Sequence, residues 1–325
     1  MKNKLKSIVI SIMCLVLLLG LIILGQIFYI LNGSSKIGSR ITFNREESSI
    51  TVNDNDDIRI LQISDTQITA LGDSLKAFGP IKRVVEKSKP DLIVLTGDNL
   101  MNDSFKGMLK HYIRFFDAFE IPWAPVMGNH DYETKMSMEE QSTLYESGKF
   151  CMFKKGNISD SYGNYYYTIY RNEVPFYSLI FMDNAIKINQ NQIDWYSNTI
   201  KSITLSNNGE LLPSWTFFHK PLIETRYAYY QAKHSLLPID GEHREGVDYL
   251  RNDAGFFNKA LELGSTTAII YGHNHRNNYS LNYKGITMSF GTKTGKTSYH
   301  DEDLIGGNVY VLKSDKSFTI ERILI

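Results

Sequence analysis

Five short clusters of the 325-residue chain hold side chains suited to binding cations and moving protons. They are Asp65/Gln67, Asp98/Asn99, Asn129/His130/Asp131, His219, and His273/His275. Singly, each has an ordinary explanation, since an Asp after a strand caps a helix or turn and a lone His is more often structural. Together they do not, because four of the eight histidines fall in these clusters and every cluster follows an apolar run. Carboxylate, amide and imidazole donors without a thiolate suit hard or borderline dications. Two such ions about 3.5–4 Å apart need a bridging carboxylate, and can then activate a water and clamp a phosphoryl group. A structural zinc site would instead show closely spaced Cys and His pairs.

The elements that must position these residues alternate regularly. Ile58 to Ile63, Leu92 to Leu95 and Ile121 to Met127 read as strands, each ending in one cluster. Between them, Leu75 to Lys89 and Phe105 to Phe119 have helical spacing, the first stopping at Pro90. Further on, Tyr165–Tyr170 and Phe176–Met182 form a hairpin pair, and Gln190–Ile203 and Asn252–Leu263 read as helices. Trp215–Phe218 and Thr266–Tyr271 are strands that end at His219 and at Gly272-His273-Asn274-His275, and the last strands are Gly285–Phe290, Asn308–Leu312 and Phe318–Ile323. Leu222 to Tyr249 reads as a long irregular stretch. Its Tyr227, Tyr229, Tyr230, His234, Glu242 and His243 could cover the mouth of a site or pack down as ordered surface. This is an α/β chain with its chemistry along one sheet edge.

Formal charge is zero, with 35 basic and 35 acidic side chains, and no basic groove is indicated, so a nucleic-acid partner is not expected. Cys14 and Cys151 imply no disulfide framework. Ile8 to Leu31 is 24 residues without a charge, preceded by Lys2, Lys4 and Lys6. That is long enough to cross a bilayer, and the lysines would keep the N-terminus cytoplasmic. The sequence therefore predicts a transmembrane anchor over 1–31, a polar tether over 32–56 with one edge strand over Ser49–Val52, and one domain over 57–325. The alternative is a cleaved signal and a secreted product, but Asn32-Gly33-Ser34-Ser35 is a poor cleavage site.

The order Asp65-Thr66-Gln67, Gly97-Asp98, Gly128-Asn129-His130-Asp131, His219 and Gly272-His273-Asn274-His275 resembles the calcineurin-like metallophosphoesterases. The likeness spans roughly residues 58 to 325. It implies a four-layer αββα sandwich. It also implies one metal held by Asp65, Gln67, Asp98 and His275, and another by Asp98, Asn129, His219 and His273. By the same resemblance His130 would stabilise the transition state or protonate the leaving oxygen, with Asp131 orienting its ring. Gln67 stands where the family usually has histidine, so that position should bind more loosely and favour manganese, magnesium or iron over zinc. The segments Gly241–Val247 and Gly291–Gly295 resemble the purple acid phosphatase-like branch, but Met101 stands at the position of that branch's iron-ligating tyrosine.

The expected function is hydrolysis of a phosphoester on a small-molecule or lipid substrate, by two divalent or mixed-valence metal ions, at the outer face of a bacterial membrane. Asn99, Glu242 and Lys293 are candidate substrate contacts, Lys293 as a point charge on a phosphate oxygen. A phosphodiesterase, or a surface binding module that keeps the fold without catalysis, is the alternative.

Overall fold

The computed structural model describes residues 2–31 and 36–325. Helix α1 (Lys2–Leu31) is followed by β1 (Thr42–Asn44), β2 (Ser49–Val52), β3 (Ile58–Ile63), α2 (Leu71–Ser88), β4 (Leu92–Thr96), α3 (Lys106–Asp117) and β5 (Trp123–Val126). Then come α4 (Met138–Glu146), β6 (Tyr165–Arg171), β7 (Val174–Phe181), α5 (Gln190–Ser206), β8 (Ser214–Phe217), α6 (Glu224–His234), α7 (Phe256–Leu263) and β9 (Thr266–Tyr271). The chain closes with β10 (Ser280–Tyr283), β11 (Ile286–Phe290), β12 (Gly306–Leu312) and β13 (Phe318–Leu324).

The strands form two sheets. An eight-stranded sheet runs β1-β2-β6-β7-β8-β9-β11-β10, and a five-stranded sheet runs β13-β12-β3-β4-β5. Period-two alternation sorts the first sheet's side chains between its two faces. Leu179 and Phe181 of β7, Trp215 and Phe217 of β8, and Ala268 and Ile270 of β9 join the core shared with the second sheet. Their neighbours Ile180, Ile269 and Tyr271 join a separate core with α5, α6 and α7. Trp215 crosses between sheets, its ring 5.8 Å from Tyr310 of β12 and 5.1 Å from Phe318 of β13. Beyond the five-stranded sheet lie α2 and α3, locked together by Phe78 stacked on Phe115 at 3.9 Å and seated on β5 through Phe116 and Trp123. The layers are helix, sheet, sheet, helix.

Parallel pairing is what gathers the clusters. β3, β4 and β5 are mutually parallel, as are β7, β8, β9 and β11. Each run therefore delivers its strand-end loops to a single edge, where open α/β sheets hold ligands.

Four expectations change. The tether is shorter than 32–56, because the expected edge strand forms as β2 and is joined by β1, with Ile41, Ile50 and Val52 buried (residues 32–35 lie outside those described). The irregular stretch after Leu222 contains α6, which buries Thr225, Ala228 and Ala232. Their small side chains give little hydrophobic periodicity to read. Helix α4 was not expected, although Ser137 and Glu140 form a capping box at its start. Finally, large apolar side chains of α1 from Val9 to Leu24 are exposed, yet among the described residues no helix is long and apolar enough to cross a membrane. The spanning anchor is not supported by the fold.

Candidate metal centre

The loops after β3, β4 and β9 carry their donors on unusual backbone. Asp65, Gln67, Asp98 and His273 have φ of 57°, 45°, 50° and 73°, in the left-handed region that costs a non-glycine residue about 1–3 kcal/mol. Tight approach explains the glycines beside them. A Cβ on Gly128 would sit 2.1 Å from the Asp98 backbone N and 2.2 Å from its Oδ1, and one on Gly272 would sit 2.0 Å from the Ser64 hydroxyl. Only glycine lets these turns close on one another.

The donors meet. His219 Nε2 lies 3.2 Å from Asp98 Oδ1 and 3.1 Å from Asn129 Oδ1, and His273 Nδ1 lies 3.1 Å from His219 Nε2. His275 Nε2 lies 3.6 Å from Asp65 Oδ1, and Gln67 Nε2 donates to Asp98 Oδ2 at 3.2 Å. Within each of two sets, Asp98/His219/His273 and Asp65/Asp98/His275, the potential ligand atoms lie within 4.8 Å of one another. Asp98 belongs to both. Oxygen and imidazole donors around one shared carboxylate fit a pair of hard or borderline dications.

Each histidine has its other ring nitrogen engaged, which fixes the tautomer that faces the centre. His219 Nδ1 donates to the Thr96 carbonyl at 2.8 Å, and His275 Nδ1 donates to the Tyr299 carbonyl at 2.9 Å. His273 turns the opposite nitrogen outward, its Nε2 donating to Asp248 at 2.9 Å. The His219 backbone is held too, since its N–H donates to Asn184 Oδ1.

The side chains of the cluster set one another's charge. Burial opposes ionisation of Asp65, but the hydrogen bond and charge of His275, with His219 and Lys293 nearby, hold the carboxyl below its ordinary range. Asp98, also buried, is lowered chiefly by His219. Burial works against a charge on His219, yet Asp98 and Asp65 raise it to about 9. Burial and the His219 charge push His273 down to about 4. Protonated His219 thus occupies the electrostatic place of a cation.

Other candidates fall elsewhere. Asp131 does not touch the His130 ring. It is buried and accepts N–H bonds from Asn99, Leu100 and Gly128, tying two ligand loops together, and burial beside Asp98 raises it to about 7. The His130 ring is instead held by Glu133, Nδ1 to Oε2 at 2.5 Å, with Nε2 3.9 Å from Asp98 Oδ2. Asn99 is buried, donating to the Val126 carbonyl and accepting from Tyr112, so it offers nothing to a substrate. Glu242 is exposed and faces Arg244 at 3.5 Å. Lys293 is fully buried, its Nζ 2.6 Å from the Asp65 carbonyl and 3.3 Å from Gln67 Oε1. Of the aromatic residues after Leu222, Tyr229 packs on His243 at 4.1 Å, while Tyr227 and Tyr230 are exposed. Sequence reasoning missed Glu133, Asp248 and Tyr299. Only Glu133 carried a signal, lying three residues after His130 in the same turn.

This is the arrangement of a phosphoesterase whose metals bind at the strand ends of two facing sheets. The chain belongs to the calcineurin-like phosphoesterase family, whose model matches residues 58–277. It is 25% identical over 256 residues, 67% of its length, to probable inactive purple acid phosphatase 28 of Arabidopsis thaliana, covering 62% of that protein. It is 30% identical over 228 residues, 62% of its length, to phosphatase DCR2 of Saccharomyces cerevisiae, covering 38% of it. The chain thus spans less than two thirds of these relatives. A dimetal phosphatase from Danio rerio shares the fold, with a TM-score of 0.56 at 11% identity over 82% of this chain and 96% of that one.

Calorimetric titration with manganese checks the electrostatics and the outer contacts together. A cation must displace the His219 proton, so affinity should rise with pH by up to about tenfold per unit and level off above about 9, with proton release seen as buffer-dependent heat. Asp248→Asn should weaken binding by about 10–100-fold at fixed pH, as loss of such a partner does elsewhere. A pH-independent affinity would contradict the His219 assignment, and an unchanged Asp248→Asn isotherm would remove Asp248 from the site.

Proposed function

We propose that the protein is a dinuclear metal-dependent phosphoester hydrolase acting on small-molecule or lipid phosphoesters. The observation that carries this reading is Asp98 shared between two donor sets where the strand ends of both sheets meet. Asp65, Asp98 and His275 would serve one ion, with the Gln67 amide beside them, and Asp98, Asn129, His219 and His273 the other. Such a pair, when bound, neutralises phosphoryl charge and lowers the pKa of a water for attack in line with the leaving group. The chain supplies the rest. His130 is partly exposed at the rim, its backbone N–H donating to Asp98 Oδ1 at 2.9 Å. With Nδ1 bonded to Glu133, it presents Nε2 toward the centre, placed to donate a hydrogen bond to a phosphoryl oxygen or a proton to the leaving oxygen.

The names of the Arabidopsis relatives favour, as second reading, a module that binds metal and phosphoester without turnover. Hydrolysis of p-nitrophenyl phosphate and bis-p-nitrophenyl phosphate with added manganese separates these readings. The wild type should turn over at least one. Asp98→Ala should lose both metal and activity. His130→Ala should keep metal but lose about 10²–10⁴-fold in rate, the usual contribution of a positioned acid or hydrogen-bond donor. Metal binding with no turnover of either ester would favour the non-catalytic module.

Location is part of the same proposal. Lys2, Lys4 and Lys6 ahead of the exposed apolar row from Val9 to Leu24 support attachment to a membrane. Recovery of the full-length chain in carbonate-washed membranes is the expected result, and recovery of a soluble product beginning near residue 33 would replace it with secretion.

A further inference from the structure

The Gln67 amide lies between two groups that agree on how it must point. Lys293 has only donors to offer, and its Nζ is 3.3 Å from one amide atom, which must therefore be the oxygen. On the other side lies Asp98 Oδ2, an acceptor, which takes a hydrogen from the amide nitrogen at 3.2 Å. Both partners are fully buried, and Gln67 nearly so. Lys293 is itself fixed. Its residue bridges to Ser64 in the parallel sense, its carbonyl accepts from Gly306 N, and its Nζ donates to the Asp65 carbonyl at 2.6 Å.

A cation among Asp65, Asp98 and His275 would ask for the opposite orientation, with the amide oxygen inward. Turning the amide would set its NH₂ against the ammonium, leaving two buried donors facing one another. The ammonium also offsets one of the two carboxylate charges that the position offers. Among the described residues no lysine or arginine side chain is hydrogen-bonded to Asn129, His219 or His273. The difference in affinity between the two positions therefore has a source beyond the weak donor strength of an amide.

We infer that Lys293 keeps the Gln67 oxygen out of the Asp65/Asp98/His275 position, making it a three-donor, ammonium-opposed site that fills second and loosely, after the Asn129/His219/His273 side. Lys293 is thus a positioning residue that sets the order of metal loading. The inference rests on the dinuclear reading proposed above.

Manganese binding to the intact metal-stripped chain, followed by calorimetry and by electron paramagnetic resonance, tests it without recourse to activity. The wild type should bind in two steps separated by at least about tenfold, consistent with a like charge close to the second ion. An isolated six-line spectrum should appear at one equivalent, and spin coupling only at excess manganese. Lys293→Met, which keeps the length of the buried stem, should tighten the second step by about tenfold or more as the charge is lost and the amide turns. Gln67→Leu should leave the second step within about threefold of wild type, because an amide already turned away donates nothing to the ion. Circular dichroism establishes that each variant is folded. If Lys293→Met fails to fold, the wild-type isotherm and Gln67→Leu still decide. Two equal steps in the wild type, a folded Lys293→Met with an unchanged second step, or a tenfold loss in Gln67→Leu would each overturn the inference while leaving a dinuclear centre in place. Failure to bind even a first ion would instead remove the dinuclear reading.

Discussion

A single buried carboxylate with too many neighbours is the constraint on which this structure turns. Asp98 has no exposed surface, and it is shared by the His219 ring, the His130 backbone, the Gln67 amide and the close-packed Gly128 turn. A carboxylate so enclosed is stable only if positive charge stays beside it. Protonated His219 supplies that charge in the metal-free chain, and cations would supply it otherwise. The left-handed backbone at Asp98 and the glycines at 97 and 128 follow from the need to bring this one side chain to a point that loops of both sheets can reach.

Two sheets are needed to surround it. The five-stranded sheet brings Asp65, Asp98 and Asn129 on three adjacent parallel strands, and the eight-stranded sheet brings His219 and the two histidines after β9. The aromatic contacts of Trp215 with Tyr310 and Phe318 fix how one sheet lies on the other, so core packing remote from the site sets distances within it. Carbonyl and carboxylate acceptors at Thr96, Tyr299 and Asp248 then decide which imidazole nitrogen faces inward. Rigidity of this kind is what a charge-driven phosphoryl transfer asks of its protein.

What could be read in advance were the residues that end strands. The strands before the clusters are apolar runs with an abrupt polar end, so Asp65, Asp98, Asn129, His219, His273 and His275 stood out, and the structure gathers all six. Residues whose role depends on burial did not. Asp131 and Asn99 look like site groups in a polar loop, but the turn folds them inward, where they join loop backbone instead of substrate. Lys293 reads as a point charge for a phosphate oxygen, but it is fully buried against the Asp65 carbonyl and the Gln67 amide. Asp248 lies 25 residues from its partner His273 in a stretch without periodicity, and no local pattern could pair them. Helix α6 escaped notice for the opposite reason, as it is regular but packs through small side chains.

The most direct test of the shared carboxylate is anomalous diffraction at the manganese edge from crystals equilibrated with millimolar manganese. Two peaks about 3.5–4 Å apart, one on either side of the Asp98 carboxylate and each contacting one of its oxygens, are the predicted result. Peaks that avoid Asp98, or manganese bound only away from His219 and His275, would contradict the account.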